Sequence, residues 1–321
     1  MPGAPLNPYL ADVFAAWNSP TPDPFAPEAV DALILDELST VLPIPAPRVL
    51  ARWTGTFDLP TDQPYFGGFS GLQFSPDGRD FIVLSDRGAL VAGQVTRNAA
   101  GAITSVAFDG PARLLADADA APLEDPYTDS EGLRISADGN LLISFEQMHR
   151  IARFDPAGRL IATLPVPLAF ADFPPNSGIE ALALASDGAV FAIPEGDAAG
   201  QAGFPIYRLT GDGWAQAGTM RGAGTFRPVD AQFGRDGRLY VLERDFWPLA
   251  GFRSRLHRLT LAEGAIVADE ELFASRAGRF GNLEGLSLWH DAQGGLHVTL
   301  VDDNNFLAVQ QSAFVDLAIS E

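Results

Sequence analysis

A short unit repeats along most of this 321-residue chain and limits the folds open to it. In most copies, an acidic residue precedes a strand of alternating apolar residues, a tight turn follows, and a second strand ends at another acid. In the first copy Ser70 stands in place of the leading acid. The clearest copy runs from Asp129-Ser130-Glu131-Gly132-Leu133, through the turn Ala137-Asp138-Gly139, to Ser144-Phe145-Glu146. Asp-Gly turns between alternating apolar strands are a strong local signal for β-hairpins. The chain is therefore expected to consist of repeated hairpins.

The spacing of the copies predicts the fold. Five copies start near residues 70, 131, 180, 230 and 284, so successive starts lie 61, 49, 50 and 54 residues apart. A period near 50 built from about four short strands is typical of a propeller blade. A β-sandwich is the alternative, but it would not repeat its own hairpins in this way. The sequence predicts an all-β chain that forms a β-propeller of five four-stranded blades, and a sixth, degenerate blade in the long first interval is the alternative.

The two ends of the chain predict how the ring closes. The last copy shows only three clear strands, the third at 314–319, while a strand-like stretch between 48 and 59 has no partner of its own. We expect N- and C-terminal strands to complete one blade together. Residues 1–47 are Pro-rich, and apolar residues from 31 to 42 recur with a helical period. This predicts an N-terminal arm with one short helix at 1–47, or alternatively a linker, and a propeller domain at 48–321.

Composition excludes several kinds of function. The formal charge of −20 at pH 7 would repel nucleic acid and anionic membranes. The sequence also has no run of about 18 apolar residues, so no membrane span is predicted. The chain has neither Lys nor Cys, which excludes a Schiff-base lysine, a P-loop lysine and thiolate chemistry. Its acidity suits a cation-binding protein, although an acidic soluble surface would explain it equally well.

The acids of the repeats predict a metal site. In a propeller the first strand of each blade borders the central channel and the second returns to the same opening, so the acids should gather at one mouth. The predicted metal ligands are Glu131, Glu180, Asp230, Glu284, Asp86, Glu146, Glu195, Glu243, Asp302, Asp303 and Asn304. Crowded carboxylates repel one another unless a cation compensates. Ca²⁺ accepts oxygen ligands in irregular geometry and fits better than Mg²⁺ or Mn²⁺. The alternative is that these acids cap strands or face solvent.

Three arginines adjoin the predicted mouth, namely Arg87, Arg150 and Arg244. Guanidinium groups match phosphate and carboxylate, so these residues are predicted to bind an anionic substrate. Salt bridges to the neighbouring acids are the alternative, and for Arg150 the favoured one. Ser70 does not lie in a nucleophile elbow, and the four histidines show no metal-ligand spacing.

The ordered motifs also resemble a known family. They are Ser70-Gly71-Leu72 with Ser85-Asp86-Arg87, Glu131-Gly132-Leu133, Gly178-Ile179-Glu180, Leu242-Glu243-Arg244, and Leu283-Glu284-Gly285 with Asp302-Asp303-Asn304. Together, over roughly residues 65–310, they resemble the phytase-like family described as having esterase-like activity. The resemblance implies a β-propeller that is usually exported to the bacterial periplasm and hydrolyses ester or phosphoester bonds. The Glu that begins a first strand is also similar to the metal-ligand position of calcium-dependent lactonase propellers.

These observations predict a Ca²⁺-dependent hydrolase of a phosphoester or related ester. Glu131 or Glu180 would take a proton, while Arg87 and Arg244 would hold an anionic small-molecule substrate. The alternatives are a lactonase-like propeller hydrolase and a non-catalytic propeller that binds a ligand or partner protein. We expect a monomer that is periplasmic or secreted after loss of its signal. A cytoplasmic protein is the alternative, because Met1-Pro2-Gly3 begins no signal-peptide pattern.

Overall fold

The computed structural model describes residues 50–60, 63–166, 170, 178–195, 203–211, 213–307 and 310–320. The predicted N-terminal arm at 1–47 lies outside these residues. In the described part, the regular structure consists of β-strands arranged in five sheets. None of the helices within these ranges is long and apolar enough to cross a membrane.

Each sheet is one blade, and the blades follow one another along the chain. The first strand, β1 (Ala51–Asp58), belongs to the last blade. Blade 1 contains β2 (Phe69–Phe74), β3 (Asp80–Ser85), β4 (Ala89–Arg97) and β5 (Ile103–Phe108), with the short β6 (Arg113–Leu114) also paired to β4. Blade 2 contains β7 (Ser130–Ile135), β8 (Leu141–Phe145), β9 (Arg150–Phe154) and β10 (Leu160–Leu164).

The remaining blades have the same order of antiparallel strands. Blade 3 contains β11 (Ile179–Leu184), β12 (Val190–Pro194), β13 (Gly203–Thr210) and β14 (Gly213–Arg221). Blade 4 contains β15 (Arg227–Phe233), β16 (Leu239–Trp247), β17 (Gly251–Ala262) and β18 (Ala265–Ala274). Blade 5 contains β19 (Asn282–His290), β20 (Leu296–Asp303), β21 (Ala313–Ile319) and β1.

The predicted five-bladed propeller is confirmed. The first strands β2, β7, β11, β15 and β19 contact one another in that order, and β19 returns to β2. They therefore form the inner ring around the channel. The long first interval, which left room for a sixth blade, holds β5, β6 and a loop in which Ala116 bridges to Arg159 of blade 2.

The ring closes as the two chain ends predicted. β1 pairs antiparallel with β21, from Ala51 opposite Ile319 to Asp58 opposite Ala313. A buried ion pair then ties this blade to blade 1, because Arg97 Nη1 lies 2.7 Å from Asp316 Oδ1. The other oxygen of Asp316 accepts a hydrogen bond from the Ile103 N–H at 2.9 Å. The last blade is thus fastened both within its sheet and to its neighbour.

The hydrophobic core lies between the blades. Each of five buried apolar clusters combines side chains from two adjacent blades, as where Leu84 and Leu90 of blade 1 pack with Leu133 and Phe145 of blade 2. Alternation along each strand places one apolar face against each neighbouring blade. This packing fixes the positions of the first strands, whose ends carry the acids.

Candidate metal centre

A β-bulge lies near the start of the first strand in every blade. The register between first and second strands shifts at Phe69/Gly71, Ser130/Leu133, Ile179/Ala181, Pro228/Asp230 and Leu283/Gly285. A bulge leaves a residue out of the ladder and re-aims its side chain. The equivalent bulge residues are Ser70, Glu131, Glu180, Val229 and Glu284. Three blades therefore present a glutamate at this position.

The second strands supply the other half of the acidic ring. The register pairs Leu72–Val83 and Leu133–Ile143 are equivalent in their blades, and counting onward from such pairs matches the ends of the second strands. The equivalent residues at or just beyond these ends are Asp86, Glu146, Glu195, Arg244 and Asp303. Blade 4 is the exception in both halves, with Val229 and Arg244 where the other blades carry polar or acidic residues. The mouth combines seven carboxylates with one arginine at these ten positions.

Among the residues that the structure describes, two groups of three carboxylates lie close enough together to hold a metal ion. Asp129, Glu131 and Glu146 form one, and Glu146, Glu180 and Glu195 form the other; within each group one oxygen per residue lies within 4.8 Å of the others. Glu146 belongs to both, and its Oε1 accepts a hydrogen bond from the Gly178 N–H at 2.6 Å. The donor set consists of carboxylate oxygens, which suits a hard cation such as Ca²⁺.

Burial and mutual repulsion raise the pKa values of the carboxylates in the ring. Burial and the neighbouring Glu284 and Glu146 carboxylates raise the pKa of Glu131 well above its usual range. Burial, with Glu131 and Glu195 nearby, does the same to the pKa of Glu180. The pKa of Glu284 is raised by burial to about 8 even though Arg244 opposes the shift. Groups with such pKa values gain most from a nearby positive charge.

Arg244 supplies part of that charge from within the ring. Its guanidinium donates to the Glu284 carboxylate, to Asn282 Oδ1 at 2.8 Å, and to Glu195 Oε1 at 3.3 Å. Asn282 in turn donates from Nδ2 to Glu284 Oε1 at 2.7 Å. In the described residues no arginine forms an ion pair with Asp129, Glu131 or Glu146. Among the described residues, the side of the ring that contains the shared Glu146 therefore has no arginine as a counter-ion.

Asp230 does not join the ring. It lies one position beyond the bulge, in register with Gly71 and Gly132, and its Oδ1 is 2.6 Å from Arg134 Nη2. Its Oδ2 accepts the Leu286 N–H at 2.7 Å. Arg134, only 2% exposed, also donates to the carbonyls of Leu72 and Ala231, so it links the first strands of blades 1, 2 and 4. Asp230 and Arg134 thus cross-link the channel wall.

Three further predicted ligands are also held elsewhere. Glu243 pairs with Arg255, whose Nη2 lies 3.0 Å from Glu243 Oε1. Asp302 Oδ2 accepts the Gly281 N–H at 3.0 Å. Asn304 Oδ1 accepts the Gly68 N–H at 3.0 Å and the Phe306 N–H at 3.1 Å. These side chains stabilise loops and neighbouring strands around the mouth and do not face the two triads.

The other two predicted substrate-binding arginines differ in their surroundings. The Arg150 guanidinium lies over Phe145, 3.7 Å from the ring centroid, and donates to the carbonyls of Met148 and Tyr127. Burial lowers its pKa to about 10. The Arg87 guanidinium lies over the Phe306 ring at 3.4 Å, beside Asp86. Ser70 donates its hydroxyl to the Ser130 carbonyl at 2.6 Å, which gives it a structural role.

Sequence reasoning overlooked three residues that shape this site. Asp129 was visible in the repeat but was not counted as a ligand, although it belongs to one triad. Asn282 was not among the predicted ligands, although it accepts from Arg244 and donates to Glu284. Arg134 interrupts an apolar strand between Leu133 and Ile135, and a charge facing the channel is the signal that could have revealed the ion pair with Asp230.

Comparison with known proteins identifies a family. The chain matches the phytase-like family, described as "esterase-like activity of phytase", over residues 64–306. This range includes every ring position and all of blades 1 to 4. No curated protein sequence matches the chain.

Several solved structures are similar in fold. A streptogramin B lyase has 10% identity and a TM-score of 0.39, with 84% of this chain and 98% of that chain covered. The virginiamycin B lyase of Staphylococcus aureus has 14% identity and a TM-score of 0.43, covering 84% and 100%. A protein of unknown function from Dyadobacter fermentans has 10% identity and a TM-score of 0.46, covering 86% and 100%.

Proposed function

The chain belongs to the phytase-like family with esterase-like activity, and on this premise we propose that it is a Ca²⁺-dependent hydrolase of phosphoester or related ester bonds. The reaction would take place at the acidic mouth of the propeller. The observation that carries the proposal is the pair of carboxylate triads that share Glu146. Carboxylates gathered in this way are costly unless a cation or protons neutralise them.

The residues proposed to hold the ion are those of the two triads, Asp129, Glu131, Glu146, Glu180 and Glu195. Asp86, Glu284 and Asp303 are the other carboxylates of the acidic ring, and the last two lie beside Arg244 and Asn282. When bound, Ca²⁺ would supply positive charge that polarises a phosphoryl or carbonyl oxygen. Ca²⁺ prefers roughly six to eight oxygen ligands in flexible geometry, which suits this donor set better than the octahedral geometry that Mg²⁺ or Mn²⁺ requires.

Glu131 and Glu180 are the proposed proton-transfer residues. Both sit at bulge positions, and both have a pKa raised by burial and by neighbouring carboxylates. These raised pKa values belong to the metal-free ring. With Ca²⁺ bound the carboxylates would be ionised, and an ionised carboxylate beside the ion could accept a proton as a general base. Glu180 and Glu146 belong to the same triad, with ligand oxygens within 4.8 Å of each other, so both could contact one ion.

Arg87 is the arginine best placed to bind the anionic part of a substrate. Its guanidinium stacks over Phe306, and a stacked guanidinium keeps its N–H edges available for phosphate or carboxylate. Arg244 and Arg150 already donate to ring acids and backbone carbonyls, respectively. For these two we propose a positioning role, with Arg244 also lowering the negative charge of the mouth.

Hydrolysis assays test the proposal directly. Purified protein is stripped with chelator and offered p-nitrophenyl phosphate, bis(p-nitrophenyl) phosphate and p-nitrophenyl acetate, with and without Ca²⁺. We expect Ca²⁺-dependent turnover of at least one substrate, and a loss of about 10²–10⁴-fold in kcat/KM for Glu180→Gln or Glu131→Gln. Asp138→Asn, at the opposite end of its hairpin, serves as the matched control and should retain full activity.

Three outcomes would contradict the proposal. Turnover that survives chelation and both glutamine substitutions would place the reaction elsewhere. Ca²⁺ binding without turnover of any ester would favour the second class of function, a propeller that binds a ligand or partner at its mouth. Turnover of a lactone offered in the same assay, without turnover of the phosphoesters, would favour the lactonase-like alternative.

A further inference from the structure

Gly178 occupies a position that recurs in every blade, two residues before the bulge residue. Its carbonyl accepts the N–H of Glu195 at 3.2 Å, just as the Asp129 carbonyl of blade 2 accepts the N–H of Glu146 at 2.8 Å. The equivalent residues of blades 1, 4 and 5 are Gly68, Arg227 and Asn282. Blade 2 therefore has a carboxylate of the first triad at this position, whereas blade 3 has no side chain there.

Side chains from blade 2 fill the place of the missing side chain. A Cβ atom built on Gly178 would lie 2.7 Å from His149 Nδ1 and 3.2 Å from Glu146 Cγ. Non-bonded carbon atoms pack best at about 3.5–4.0 Å, so a methyl group here would displace both neighbours. The φ angle of Gly178 lies outside the positive range that favours glycine. Glycine is thus needed at this position for space and not for its backbone conformation.

Gly178 also fixes the orientation of the Glu146 carboxylate. Its N–H donates to Glu146 Oε1 at 2.6 Å, and a hydrogen bond from a backbone N–H to a carboxylate is among the stronger ones. The carbonyl of the same residue holds the backbone of Glu195, and Glu180 follows two residues later in β11. One residue is therefore tied to all three members of the second triad.

The triad that Gly178 ties together spans two blades. Glu180 and Glu195 come from blade 3, but Glu146 comes from blade 2 and belongs to both triads. A side chain at position 178 would occupy the space through which Glu146 reaches the two acids of blade 3. The two triads can share a carboxylate only where this space is open.

We propose that Gly178 is a positioning residue that allows Glu146 to serve both triads. Its missing side chain admits Glu146 between blades 2 and 3, and its N–H orients the carboxylate toward the ion. The inference rests on the proposed Ca²⁺ site and adds the backbone position on which the sharing of a ligand depends.

Calorimetric titration of chelator-stripped Gly178→Ala with Ca²⁺ tests the proposal. We expect binding at least about tenfold weaker than in the wild-type protein, because the methyl group displaces Glu146. Gly211→Ala is the matched control in the same blade. A Cβ atom on Gly211 would meet nothing within 4 Å, so this variant should bind Ca²⁺ as the wild-type protein does.

A double-mutant cycle shows whether Gly178 acts through Glu146. In a Glu146→Gln background, Gly178→Ala should change the Ca²⁺ affinity by less than about threefold, because the group through which it acts has already lost its charge. The same loss of affinity in both backgrounds would assign Gly178 a general structural role and overturn the proposal.

A second variant keeps the test valid if the methyl group beside the imidazole impairs folding. Gly178→Ala combined with His149→Ala removes the closer of the two contacts and should melt, without metal, at the temperature of His149→Ala. Its Ca²⁺ binding should still be at least about tenfold weaker than that of His149→Ala, because the contact with Glu146 remains. Equal affinities in these two variants would contradict the proposal.

The wild-type titration separates this inference from the proposed function. An absence of Ca²⁺ binding by the wild-type protein would overturn both. Wild-type binding that Gly178→Ala leaves unchanged would overturn the role of Gly178 alone.

Discussion

Arg134 and Asp230 form an ion pair that is closed to solvent, with side chains 2% and 0% exposed. The pair is also fully hydrogen-bonded, since Arg134 reaches backbone carbonyls in two other blades and Asp230 accepts the Leu286 N–H. Burial raises the pKa of Asp230 to about 6 despite the adjacent guanidinium. Removing one partner of such a pair leaves the other charge buried and uncompensated.

Asp230→Asn is therefore expected to be strongly destabilising. The free energy of unfolding should fall by about 3–5 kcal/mol, because the Arg134 charge would lose its counter-ion. Asp187→Asn is the matched control. Asp187 pairs with Arg208 at 2.9 Å on the surface, where both side chains are largely exposed, and its loss should cost less than about 1 kcal/mol. Urea denaturation of both variants measures the difference, and similar small losses in the two would contradict this account of the channel.

At the scale of strands, the hairpins and the closing blade were readable from sequence because they depend on local patterns. The Asp-Gly turns occur as predicted, and Gly78, Gly139, Gly188 and Gly237 all have positive φ angles between 72° and 83°. Such angles favour glycine. The pairing of β1 with β21 also followed from an unpartnered strand at each end of the repeat series.

The acidic ring was only partly predictable, because the bulges are not visible in the sequence. Asp230 was aligned with Glu131 by counting along the repeat, yet the bulge residue of blade 4 is Val229. A shift of one residue turns a side chain to the opposite face of a strand. Glu243 and Arg244 are likewise neighbours on opposite faces of their strand. Glu243 pairs with Arg255, whereas Arg244 lies in the ring and donates to Glu195. Local spacing therefore identified the mouth but not every side chain that faces it.

Closure by β1 can be tested by truncation. A chain that begins at residue 48 keeps β1 and should unfold cooperatively. A chain that begins at residue 59 lacks β1 and leaves the edge of β21 unpaired, together with part of the core around Ala51 and Leu317. Exposed strand edges promote aggregation. We expect the shorter chain to lose cooperative thermal unfolding in calorimetry or to aggregate, and equal melting temperatures for the two chains would contradict this role.

At the scale of the whole molecule, the acidic mouth links stability to pH. The pKa of Glu284 is raised to about 8 and that of Asp86 to about 7, chiefly by burial, above ordinary values near roughly 4. The folded state then binds more protons than the unfolded state. This contribution to stability is fully present below the unfolded pKa values and is lost as pH rises through about 7 to 8.

Metal-free protein should therefore melt at progressively lower temperature as the pH is raised from about 5 to 9. Added Ca²⁺ should remove much of this decrease, because it stabilises the ionised carboxylates. Glu284→Gln should make the metal-free profile less steep, because it removes one of the shifted groups. Thermal melts across this range, with chelator or Ca²⁺, measure the effect. A flat metal-free profile, or the same decrease in the presence of Ca²⁺, would contradict the linkage.

The central claim is that the carboxylates converging at the mouth hold a divalent cation. Calorimetric titration of chelator-stripped protein with Ca²⁺ tests it most directly, with Glu146→Gln as the variant that affects both triads. The account predicts saturable binding of at least one ion per chain, weakened at least about tenfold by Glu146→Gln. An absence of binding heat, together with a melting temperature that Ca²⁺ leaves unchanged, would contradict it.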